Sequence, residues 1–153
     1  SNKKTLETVK SRCLNFRINL NFEKNITIVN KLINNDILDL LNPDLVNYYN
    51  TPGEFINLYN FSIVNNVDLK KNDLKSFLKI LINENFYKKD NFIKNYIFNF
   101  IELYFLKLLS VSKHKYEIFL FYSKFIKKIH NSKKFNLDID SLFMEFESKI
   151  LNG

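Results

Sequence analysis

Apolar residues recur at helical spacing along nearly the whole of this chain, and no stretch keeps the two-residue alternation of a half-buried strand. Leu6, Val9, Cys13 and Phe16 or Arg17 space a first helix from about residue 6 to residue 20, and Ile26, Val29 and Ile33 a second from about Glu23 to Asn34. Asp36 to Leu41 reads as a short helical piece stopped by Asn42-Pro43. Asn42 then caps another short helix bearing Leu45, Val46 and Tyr49, with Pro43 at its first position.

The clearest local signal is Thr51-Pro52-Gly53-Glu54, a capping box in which Thr51 accepts the orphan amide of Glu54 and Glu54 reaches back to the Thr51 amide. The helix it opens carries Phe55, Leu58, Tyr59, Ser62 and Ile63 along one face and ends at Asn65-Asn66. Asp68 or Asn72 caps the next, with Leu74, Phe77, Leu78 and Leu81 as its stripe. Asp90 opens a long helix to about Ser110, whose only polar strip is Asn95, Asn99 and Glu102; a helix apolar nearly all round packs on most of its sides. A further helix, Lys113 to His130, places Ile118, Tyr122, Phe125, Ile126 and Ile129 in one arc. After a polar loop over 131–136, a last helix from Asp138 or Asp140 bears Leu142, Phe143, Phe146 and Ile150.

No linker or charge block divides the chain. The expectation is one all-α domain over residues 1–153, with six to eight helices joined as hairpins in a bundle or as a HEAT-like stack. Residue-level repeats are not visible, and tetratricopeptide packing needs small residues that a chain with no Ala and two Gly lacks. The chain opens on Ser1, and the expectation is a domain excised from a larger protein.

Composition excludes several chemistries. Gly53 and Gly153 are the only glycines, so neither a Rossmann loop nor a P-loop can form, since both need several residues at positive φ. A single cysteine, Cys13, excludes an internal disulfide framework and zinc sites built on paired cysteines; its spacing from Val9 and Phe16 makes it a core residue. That usage suits a reducing, intracellular compartment. Phe92 to Val111 is the most apolar stretch, but Lys94, Glu102 and Lys107 interrupt it, so a buried helix is expected and no transmembrane segment.

The formal net charge is +7, with 21 Lys against 2 Arg. Asn, Lys, Ile, Phe and Tyr are the residues of A/T-rich codons, so this balance reports on codon usage as well as on partners. The densest basic run places Lys113, Lys115, Lys124, Lys127, Lys128, Lys133 and Lys134 against one acid, Glu117. Lys124, Lys127 and Lys128 fall opposite the core face of their helix, with Leu120 among them. Such a surface attracts phosphate backbones or anionic lipid, and it lacks the Arg that reads bases. Simple solvation is the competing account.

Catalytic constellations are not evident. His114 and His130 lie 16 residues apart on one helix, roughly 24 Å at 1.5 Å per residue, too far to share a metal. Asp138 and Asp140 suit a helix N-terminus, and Glu145 and Glu147, two residues apart, point away from each other. The function expected is therefore a non-enzymatic protein–protein interaction module without a cofactor. The alternative is electrostatic binding of nucleic acid or an anionic membrane through the helix spanning 113–134.

Overall fold

Side-chain caps set where six of the eight described α-helices begin. The computed structural model describes residues 20–135 and 138–152, and among them eight α-helices form, with no strand. The first, α1 (Phe22–Ile33), opens at Asn21, whose side chain accepts the Lys24 amide at 3.0 Å. Asp36 likewise opens α2 (Ile37–Leu40), and a 3₁₀ turn follows at Pro43–Leu45 with Asn42 as its cap. The capping box at Thr51 is complete: Glu54 Oε2 accepts the Thr51 amide at 2.7 Å, and Thr51 Oγ1 accepts the Glu54 amide at 3.3 Å, starting α3 (Pro52–Asn65). Asp73 caps α4 (Leu74–Asn83), Asp90 caps α6 (Asn91–Val111) and Asp138 caps α8 (Ile139–Phe146). Between them lie the single-turn α5 (Phe86–Lys89) and the long α7 (Lys115–Phe135).

Asparagine does here what glycine does elsewhere. Asn34, Asn66 and Asn85 are the described residues at positive φ, between 53° and 56°. Asn34 and Asn66 close α1 and α3 as left-handed C-caps, and Asn85 turns the chain from α4 into α5. Asn tolerates this region better than other side chains because its short amide bonds locally.

The core is built on phenylalanine. Phe55, Phe77, Phe100, Phe105, Phe125, Phe143 and Phe146 are fully buried. Phe77 meets Phe100 edge-on at 5.2 Å, while Phe105 contacts Phe125 and Phe146 at 6.1 and 5.7 Å. Each such pair adds about 0.5–1.5 kcal/mol beyond simple burial. Helix α6 runs through the middle, packing against α4, α5 and α7, while α1 packs on α3 and α7 on α8. The π-helical turn Glu147–Leu151 returns to α4 and buries Leu151. That return contact joins the turn after α8 to a much earlier helix and keeps the described helices in one compact all-α array.

Four local expectations need correcting. Asp73, not Asp68 or Asn72, caps α4; Asp68 instead accepts the amides of Lys70 and Lys71 and turns the chain before the helix. On α3, Phe61 is buried and Ile63 is 57% exposed, because the helix faces Phe77 and Phe86, whose rings pack on Phe61. The polar segment 131–136 is not a loop from its start: α7 continues to Phe135, with Ser132 buried on its inner side and its hydroxyl donating back to the Ile129 carbonyl at 2.9 Å. Tyr49 lies beyond its short helix and is 93% exposed, because the Asn47 side chain takes its amide at 3.0 Å and turns the backbone away. The first expected helix and Cys13 lie outside the described residues.

Candidate functional site

The lysine-rich helix is α7. Phe125 and Ile129 anchor it in the core, with Ile118, Phe121, Tyr122 and Ile126 half-buried beside them. Lys113, Lys115, Lys124, Lys127 and Lys134 are exposed, and no carboxylate among the described residues pairs with them; the side chain of Lys133 lies outside those residues. Lys128 is different. It pairs with Glu145 of α8, whose other oxygen takes Lys149 at 2.8 Å. These two cations, Lys128 first, hold the Glu145 carboxyl below its ordinary range. Leu120, 40% exposed, lines with Lys124 and Lys128 a shallow hollow of about 320 Å³ between α7 and the Glu145–Lys149 turn.

A second surface is not marked as a site by the sequence. The segment 42–50 is pinned at three places. Its start is held by the Asn42 amide on the Leu69 carbonyl at 2.9 Å, and by the Asn42 side chain on Lys70. Its middle is held by Lys107 of α6, which donates to the Asp44 carboxylate at 2.7 Å and to the Asp44 carbonyl at 2.9 Å. Its end is held by Asn50, which is 2% exposed; the Tyr96 hydroxyl donates to its side chain and Asn25 donates to its carbonyl at 3.0 Å. Burial pushes the Tyr96 phenol well above its ordinary pKa, so it stays a hydrogen-bond donor.

This pinned segment presents Tyr48 and Tyr49 to solvent, 70% and 93% exposed. The Tyr48 ring leans on Phe22 at 4.6 Å. Between the segment and α6 runs a groove of about 560 Å³, walled by Val46, Tyr48, Tyr49, Leu103 and Leu106, with Asn99 and Glu102 along its polar edge. The strip Asn95, Asn99, Glu102 is thus exposed as its spacing implies, but it continues into Leu106, 65% exposed, and borders a concavity. In the sequence only the tandem aromatics after Asn42-Pro43 hint at this surface, and their spacing from Leu45 suggests a helix instead.

The remaining ionisable clusters are committed to structure. Asp140 accepts from Tyr87 at 2.9 Å and pairs with Lys88, tying α5 to α8. Lys88, then Tyr87, lowers the Asp140 carboxyl; burial, then the Asp140 contact, pushes the Tyr87 phenol up to about 12. His114 precedes α7 and His130 lies on it. No group of three or more His, Cys, Asp or Glu able to hold a metal occurs among the described residues, and none of the described helices is long and apolar enough to cross a membrane. No family model, curated protein or solved structure matches the chain.

Proposed function

We propose that this chain is a non-enzymatic helical module that binds another protein through the groove at Tyr48 and Tyr49. One observation carries the reading: two exposed tyrosines stand on a segment fixed to three other parts of the fold. Tyrosine supplies large contact area at little conformational cost and is enriched at binding hot spots. A pinned segment loses little further freedom on binding, so more of the contact energy appears as affinity. Leu103 and Leu106 provide apolar wall, while Asn99 and Glu102 offer polar contacts at the rim, the usual division of an interface.

The test is affinity capture from the source cell, comparing the wild-type protein with the double variant Tyr48→Ser, Tyr49→Ser and with Leu106→Asp. All three positions are exposed, so folding should survive, as thermal melting will verify. A partner held by wild type and lost by both groove variants supports the reading. A partner that binds all three proteins equally rejects it.

The alternative, electrostatic binding through α7, is favoured by a separate observation: exposed lysines there lack acidic partners among the described residues, apart from Lys128. It uses a different surface and does not depend on the groove.

A further inference from the structure

The solvent side of α7 is not uniformly polar. At 100° per residue, Tyr116, Leu120, Lys127 and Lys134 fall within roughly 40° of one another on the face turned away from Phe125. Phe119 and Lys124 flank that row. Tyr116 is 74% and Phe119 54% exposed, and Val111, at the corner where α6 gives way to α7, is 85% exposed. Apolar side chains therefore crowd the corner and the first two turns, while Lys113 and Lys115 frame them and Lys124, Lys127 and Lys134 follow along the helix. From Tyr116 to Lys134 this surface is roughly 27 Å long at 1.5 Å per residue.

We infer that the outer face of α7 and the adjoining corner dock on an anionic phospholipid bilayer, with Tyr116, Phe119, Leu120 and Val111 entering the headgroup boundary and the lysines meeting lipid phosphates and carboxylates. Lys124, Lys127 and Lys134, which no carboxylate among the described residues pairs with, lie along this face, with Glu117 at its edge. A surface of opposite charge gains from each of them, within the Debye length of the membrane. The exposed apolar side chains separate a bilayer from a nucleic acid. Val111 and Leu120 cannot stack on bases and gain nothing from a phosphate backbone, whereas aliphatic side chains beside Tyr and Phe are what an interfacial helix buries. Lysine in place of arginine fits the same reading, since base edges are read by arginine forks and a lipid surface needs only point charges. The surface is distinct from the groove at Tyr48, so either reading can fail without the other.

The chain lacks tryptophan, which gives a clean probe. Tyr116→Trp protein is mixed with vesicles of phosphatidylcholine alone and with vesicles containing phosphatidylserine, while sedimentation measures the bound fraction. The expected result is binding to the anionic vesicles only, with a blue shift of the introduced indole's emission and steep weakening by salt. Lys124→Ala and Lys127→Ala each lower partitioning about fivefold, and Phe119→Ser with Leu120→Ser lowers it without changing the salt dependence. Circular dichroism confirms that each variant keeps its fold. The inference is overturned if folded wild type stays in solution with anionic vesicles at low salt. It is equally overturned if binding occurs without an emission shift, placing the contact elsewhere. Binding to single-stranded RNA that ignores the Phe119 and Leu120 changes, with no vesicle binding, assigns the face to nucleic acid instead.

Discussion

Replacing Phe105 with alanine removes the side chain on which the α6–α7–α8 junction is built. Phe105 is 1% exposed, and its ring meets those of Phe121, Tyr122, Phe125 and Phe146 at 6.1, 5.0, 6.1 and 5.7 Å. A buried Phe→Ala change costs about 3–5 kcal/mol, through lost transfer energy and the cavity left behind. Neighbouring rings lock one another in place, so the site should collapse little and the cost should lie near the middle of that range or above. With a urea dependence of about 2 kcal/mol per molar, a loss of about 4 kcal/mol moves the unfolding midpoint down by about 2 M. The assay is urea denaturation followed by far-ultraviolet circular dichroism, with Phe119→Ala as comparison. Phe119 is 54% exposed, and its loss should shift stability by about 0.5 kcal/mol or less. A Phe105→Ala cost under about 1 kcal/mol, or equal effects for the two variants, refutes the packing assigned to this junction.

Thr51→Ala deletes one half of the capping box and should lower stability by about 1 kcal/mol, read as a drop in Tm. Asn50→Ala should cost more, about 1–3 kcal/mol by chemical denaturation, because it leaves the Tyr96 hydroxyl buried without its acceptor. Acid titration tests the carboxylates. The folded pKa values of Glu145 and Asp140 are depressed, so their contribution is present above the unfolded carboxylate range and is lost as pH falls through the folded values. Stability should therefore decline below about pH 4–5, and Lys128→Met should flatten that decline; an unchanged acid profile contradicts the Lys128–Glu145–Lys149 arrangement.

The helices are legible wherever local chemistry and apolar spacing agree. Thr51-Pro52-Gly53-Glu54 and Asp90 each open a helix at the expected place, Asp138 is the one of the two expected acids that opens the last, and Leu74, Phe77, Leu78 and Leu81 are buried together. Spacing alone does not say which flank of a helix meets a neighbour. Phe61 and Ile63 lie on different flanks of α3, and only the position of Phe77 and Phe86 decides that Phe61 is the buried one. The lysine face of α7 is legible as charge, but the acid that neutralises Lys128 comes from α8, 17 residues on. The groove is illegible because it is a tertiary object. Its tyrosines follow a 3₁₀ turn and an Asn47 side chain that redirects the backbone, and its wall comes from α6, far along the chain.

The most direct test of the proposed function places a photo-crosslinking amino acid at Tyr49, in the groove, and in a second protein at Lys70, an exposed position outside it. Both proteins are irradiated in extract of the source cell and resolved by mass. The account predicts a discrete adduct with one protein species from position 49, abolished by Leu106→Asp and absent from position 70. No adduct at position 49, or the same adducts from both positions, contradicts it.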